Sequence, residues 1–186
     1  LAEKKGFKYL IEAMPLILQE MPATKLVIIG FGPQKTLLEN QIQQLHLESS
    51  VSLIGGKTGK ELQDWFATAD IFIGPSIITA DGDTEGQGVV FLEAMASGTA
   101  VVASDVGGIK DVVRDKISGL LVPEKKPHAI AERVLTLAKD KQLKEQLIHN
   151  ALELVRSDYS WEQSSQKFLA LYQKLQKNQT DGFQHS

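Results

Sequence analysis

Glu85-Gly86-Gln87-Gly88-Val89-Val90-Phe91-Leu92-Glu93-Ala94-Met95-Ala96-Ser97-Gly98 reads as a glycine turn, an apolar helix and a closing glycine. Apolar, strand-like segments flank it at residues 70–74 and 99–103. A strand that enters a helix through a glycine turn and returns to a strand is the repeating unit of a parallel sheet. It aims the first N–H groups of the helix off the sheet edge, where an anion can sit. Val89, Leu92 and Ala96 recur at helical spacing, and Glu93 stands beside Leu92 in the same turn. An unpaired carboxylate is costly to bury. Glu93 is therefore expected to take hydroxyl or amide donors, face a cleft, reach solvent or pair with a structural base.

The same alternation extends outward. Further strand-like runs lie at residues 25–30, 50–55 and 119–121, separated by helical patterns at 7–20, 34–46, 59–67, 89–97 and 109–115. Alternation of this kind predicts an α/β fold, an open, doubly wound parallel sheet with helices on both faces. Residues 127–139, 141–157 and 161–175 read as C-terminal helices, with Pro127 in a first turn and Ser160 as a cap. Residues 1–175 form the expected domain, and the polar stretch 176–186 the expected disordered tail.

Lys and Arg number 20 against 23 Asp and Glu, a formal charge of −3, which makes no electrostatic case for nucleic-acid binding or a polybasic membrane anchor. With no cysteine, disulfides and thiolate metal sites are excluded, and a reducing cytoplasm is the expected compartment. No apolar run approaches the roughly 20 residues that span a bilayer. Gly30-Phe31-Gly32-Pro33 starts like a dinucleotide fingerprint, but the third glycine is missing and Pro33 opens the helix, so a tight turn is expected instead of an NAD site. His46, His128, His149 and His185 lack a second ligand at metal-binding spacing, and no metal is predicted. Asp81 and Asp83 around Gly82 lack the other positions of a calcium loop and are expected in a flexible loop. Trp161, Phe168 and Tyr172 are expected as core or docking aromatics.

Taken in order, several stretches resemble the retaining glycosyltransferases of family 4. The Glu85–Glu93 block is similar to their E-x7-E signature, and Leu1-Ala2-Glu3-Lys4-Lys5-Gly6-Phe7 to the lysine end of R-L-x-x-x-K-G. Leu26-Val27-Ile28-Ile29-Gly30-Phe31-Gly32-Pro33 resembles LxIxGxGP, and Val51-Ser52-Leu53-Ile54-Gly55 resembles VxFxG. Ala80-Asp81-Gly82-Asp83-Thr84-Glu85-Gly86, Ser104-Asp105-Val106-Gly107-Gly108 and Gly119-Leu120-Leu121-Val122-Pro123 also fit. The resemblance runs from residue 1 to about Tyr172. It implies the C-terminal, Rossmann-like half of a two-domain GT-B architecture, which transfers a hexosyl unit with retention from a nucleoside diphosphate sugar to an acceptor hydroxyl.

The resemblance also implies site roles. Glu93 would hold the ribose hydroxyls, and Glu85, the candidate catalytic residue, would position the donor sugar. The backbone at Gly86, Gly88, Val89 and Val90 would face the phosphates and the sugar, with Lys5 as the cation. Its partner arginine would precede Leu1, so the chain is expected to be a fragment. Gly56 and Lys57 would contact the base. Gln87 stands where the family commonly has Phe, which leaves the sugar preference open. No cofactor is implied, since a helix N-terminus and basic side chains neutralise diphosphate. The expected partners are the sugar nucleotide and the missing N-terminal domain. Peripheral association with the inner face of the membrane through that domain stays open. The alternatives are an epimerase or phosphorylase of the same architecture, or a non-catalytic α/β binding module.

Overall fold

The computed structural model describes residues 1–86 and 88–182. Strands β1 (Leu26–Ile28) and β2 (Val51–Leu53) pair in parallel, with Leu26 opposite Val51. Strands β3 (Ile71–Gly74), β4 (Ala100–Ser104) and β5 (Leu120–Val122) form a second parallel ladder with β4 in the middle. The hydrogen bonding is thus divided between two ladders. The first two strands are shorter than their apolar runs because the chain turns at Gly30 (φ 145°) and Gly55 (φ 76°).

The double winding is visible in β4. All of its residues are buried, and successive ones enter different cores. Ala100 and Val102 face Leu10, Ile11, Met14 and Ile17 of α1 (Phe7–Glu20), along with Ile130 and Leu137 of α6 (Pro127–Lys139). Val101 and Ala103 join Phe66 of α3 (Gly59–Thr68) and Phe91, Ala94 and Met95 of α4 (Val89–Ala96). Side chains of a strand alternate between faces, so apolar residues at every position require a cover on each side. Ile28, Val51, Leu120 and Val122 join the first of these cores, as do Leu38 and Ile42 of α2 (Lys35–Gln44), so both ladders share it.

Helix α5 (Ile109–Val112) stops short of residue 115. Val113 is extended, and the chain beyond it is drawn into a loop by the Ser118 hydroxyl, which accepts from the Arg114 N–H at 3.0 Å, and by Asp115, whose carboxylate accepts from Leu121 N–H at 2.8 Å. Helix α7 (Lys141–Asp158) starts at Asp140, whose carboxylate accepts from the Leu143 N–H at 2.9 Å. Asp140→Ala removes that cap and is expected to lower stability by about 1 kcal/mol. An unchanged urea midpoint would show that the cap contributes nothing.

Helix α8 (Trp161–Gly182) is capped as predicted, with Ser160 Oγ accepting from Gln163 N–H at 3.2 Å. It continues past residue 175 to Gly182, where the sequence suggests an unstructured tail; the Gln and Lys residues there are good helix formers. Phe168 and Tyr172 are 65% and 66% exposed, so they are surface aromatics and not core. Gln87, His185 and the rest of residues 183–186 lie outside the described residues. Among those described, no helix is long and apolar enough to cross a membrane.

Candidate functional site

Because each ladder is parallel, its strands all end on one edge. Residues 1–6 cross from the end of β1 to the end of β3. The Leu1 amine donates to the Phe31 carbonyl, the Leu1 carbonyl accepts from Gln34 N–H at 3.0 Å, and the Lys4 carbonyl accepts from Ile77 N–H at 2.8 Å. Gly6 makes the bend at φ 63°, so close to the chain after β3 that a Cβ there would sit 1.9 Å from the Pro75 carbonyl oxygen. A short 3-10 turn, Glu3–Lys5, then holds the lysines over the loop that follows β3. Lys4 Nζ lies 3.1 Å from Asp83 Oδ1, and Lys5 Nζ donates to Glu85 Oε2. Lys5 and Glu85 are thus brought together across the chain, the Glu85 side chain being 15% exposed.

The acidic loop is closed on itself by hydrogen bonds. The Thr79 N–H and hydroxyl both reach the Asp83 carbonyl at 2.9 Å, and the Thr84 hydroxyl donates to the Ile77 carbonyl at 3.1 Å. From the end of β5, Glu124 accepts from Ile78 N–H at 2.7 Å and Lys125 donates to the Ile78 carbonyl at 2.8 Å. The Thr79 hydroxyl donates to Asp81, and with the Asp83 N–H it holds that carboxyl below its usual range. The Asp81 carboxylate and the Asp83 backbone therefore serve the turn itself, while the Asp83 carboxylate pairs with Lys4. Among the described residues no group of His, Asp and Glu side chains is arranged to hold a metal ion.

Behind Glu85 lies the glycine pair Gly107-Gly108, which follows β4. Gly108 N–H donates to the Glu85 carbonyl at 3.4 Å. A Cβ on Gly107 would approach that carbonyl oxygen to 2.3 Å, and one on Gly108 would approach the Gly86 oxygen to 2.2 Å. The pair after β4 therefore seats the backbone of Glu85 and Gly86. The legible signal was its position, just after the strand adjacent to β3.

The mouth of α4 is set by Gly88, at φ 64° and ψ 47°, where a Cβ would meet the Phe91 ring at 2.7 Å. Gly86, by contrast, faces open space. No side chain caps this helix, and among the described residues the N–H groups of Gly88, Val89 and Val90 have no partner in the chain. The buried stripe of α4 is Phe91, Ala94 and Met95. Val89 is 56% exposed, so the stripe expected at Val89, Leu92 and Ala96 is out of phase by one step. This helix is apolar nearly all round, and the large Phe91 ring selects the inward face. Glu93 consequently lies on the exposed side, and among the described residues it has no hydrogen-bond or ion-pair partner. Its carboxylate is free to accept.

Gly56 and Lys57 follow β2. Lys57 Nζ lies 2.6 Å from Glu61 Oε1, one helical turn on, and the Gly55 carbonyl accepts from Gly30 N–H at 2.9 Å. The turn expected at residues 30–33 is present, with Lys35 N–H donating to the Gly32 carbonyl at 3.2 Å. The edge thus gathers an ammonium, carboxylates and unpaired backbone donors, a set suited to phosphate oxygens and sugar hydroxyls.

The family described as glycosyl transferases group 1 matches residues 1–154. MJ1607, an uncharacterized glycosyltransferase of Methanocaldococcus jannaschii, is 36% identical over 172 residues, which is 92% of this chain and 42% of that protein. WcaL of Escherichia coli, a putative colanic acid biosynthesis glycosyltransferase, is 35% identical over 176 residues, 94% of this chain and 43% of that protein. Among solved structures, a variant of S. aureus TarM in complex with fondaparinux, alpha-GlcNAc-glycerol and UDP is similar with a TM-score of 0.81 at 28% identity. The match covers 92% of this chain and 34% of that one. The chain spans less than half the length of these curated relatives.

Proposed function

Because the chain belongs to the glycosyl transferases group 1 family, we propose that it is the donor-binding half of a retaining glycosyltransferase, one that moves a hexosyl unit from a nucleoside diphosphate sugar to an acceptor hydroxyl. The observation that carries this reading is the meeting of Lys5 with Glu85 beside the unpaired N–H groups of α4. Transfer breaks the bond between the anomeric carbon and the diphosphate, and negative charge collects on the departing phosphate. Lys5 and the α4 amides are the groups available to stabilise that charge. Glu85 would accept hydrogen bonds from the sugar hydroxyls and hold the anomeric carbon in place. Glu93 would do the same for the ribose diol, and the backbone at Gly56 and Lys57 would receive the base.

The nucleotide in the TarM complex supports a nucleoside diphosphate, and the name of WcaL, with its colanic acid biosynthesis, supports a role in polysaccharide assembly. The rest of the enzyme would supply the acceptor site, so this chain alone is expected to bind donor weakly and turn over little. Titration with UDP, GDP and ADP, then with their sugar conjugates, tests the reading; a chain that binds none of them is not a donor domain. Glu93→Ala is expected to weaken nucleotide binding by about 1–2 kcal/mol, the scale of exposed hydrogen bonds to a charged group. Calorimetry that finds the same affinity would remove Glu93 from the ribose.

A further inference from the structure

Phe31 is the most exposed of the large apolar side chains described, at 76%, yet its ring is not loose. The Phe31 carbonyl faces the backbone nitrogen of Leu1, and the Gly30 N–H donates to the Gly55 carbonyl at 2.9 Å. The ring lies against the backbone after β2: a Cβ on Gly56 would meet it at 2.4 Å and one on Gly55 at 3.2 Å. Any side chain at Gly56 would lift it off. One side of the ring therefore rests on glycine backbone while most of the side chain faces solvent. Beside it, among the described residues, the backbone N–H and C=O groups of Gly56 and Lys57 have no partner in the chain.

An exposed aromatic ring next to unpaired backbone donors and acceptors, at the carboxyl end of parallel strands, matches the needs of a flat heterocycle. Such a ligand offers a π-face for stacking and a polar edge for hydrogen bonds. We propose that Phe31 is the stacking platform for the base of the donor nucleotide and a determinant of nucleotide affinity. The inference rests on the donor-domain reading above and assigns it a residue that neither the motifs nor the resemblance singled out. Stacking tolerates any base, whereas the backbone groups of Gly56 and Lys57 would read the base edge. Discrimination among bases would therefore survive loss of the ring, while overall affinity would fall.

The test compares the wild-type chain with Phe31→Ala and Phe31→Trp in titrations with UDP, GDP, ribose 5-phosphate and inorganic pyrophosphate. Phe31→Ala is expected to weaken binding of the preferred nucleoside diphosphate by about 5- to 30-fold, within the range known for base–aromatic stacking. Ribose 5-phosphate and pyrophosphate should bind both proteins alike. Phe31→Trp should retain the affinity, and its indole fluorescence should change on addition of nucleotide. Circular dichroism checks that each variant folds. The ring is exposed, so folding is expected to be undisturbed. Nucleotide affinity unchanged in Phe31→Ala overturns the platform and leaves the donor site standing. An equal loss for ribose 5-phosphate and pyrophosphate also overturns it, because the ring would then be supporting the loop. If wild-type protein binds no nucleoside diphosphate, the donor-domain reading fails and this inference fails with it.

Discussion

Phe91→Ala is expected to destabilise the chain by about 4 kcal/mol, the usual cost of emptying a buried aromatic site. The side chain is 1% exposed, and its ring stands edge-on to Phe72 with centroids 5.5 Å apart; Phe72 meets Phe66 in the same way at 5.5 Å. The ring also fills the space that Gly74 and Gly88 leave open. A Cβ at Gly74 would lie 2.3 Å from it. This produces a reversal of sign. Gly74→Ala alone overpacks the site and should cost about 1–3 kcal/mol, but in the Phe91→Ala background the same methyl enters a cavity and should be neutral or stabilising. Urea denaturation of the wild type, both single variants and the double variant measures the coupling. Additive costs would mean that the ring and the glycine do not share this space. Because Phe91 also sets the mouth of α4, nucleotide affinity should decline together with stability.

Glu85→Ala should separate sugar from nucleotide. If the carboxylate accepts two sugar hydroxyls, its loss weakens sugar-nucleotide binding by about 3 kcal/mol, roughly a hundredfold. The bare nucleoside diphosphate should bind as well as before or somewhat more tightly. The reason is the Lys5 contact: with Glu85 removed, the ammonium no longer divides itself between a carboxylate and the phosphates. Stability should change little, because Lys5 is 38% exposed and water screens the pair. Parallel titrations with UDP and UDP-sugar, and with the guanosine equivalents, read the difference directly. An equal loss for both ligands would place Glu85 at the nucleotide, or show that it merely braces the loop.

The two outcomes together distinguish a residue that shapes the site from one that touches the ligand. The first works through packing, so it appears in denaturation. The second works through hydrogen bonds made only with sugar present, so it appears only in the difference between two ligands.

The order of elements and their punctuation were legible in the residues. Helix α1 runs from Phe7 to Glu20 and α6 from Pro127 to Lys139, the limits that apolar spacing and the first-turn proline mark out. Propensity, periodicity and capping act over about one helical turn, and a single chain displays them openly. Tertiary structure decided the inward face of α4, since a helix apolar nearly all round carries little phase of its own until the volume of Phe91 finds the gap at Gly74. It also decided that Lys5 meets Glu85, that Gly107 and Gly108 seat the Glu85 backbone, and that Phe31 lies on Gly56. Those contacts join residues that parallel strands and crossovers bring to one edge from distant parts of the chain, and no local pattern encodes which of them will touch.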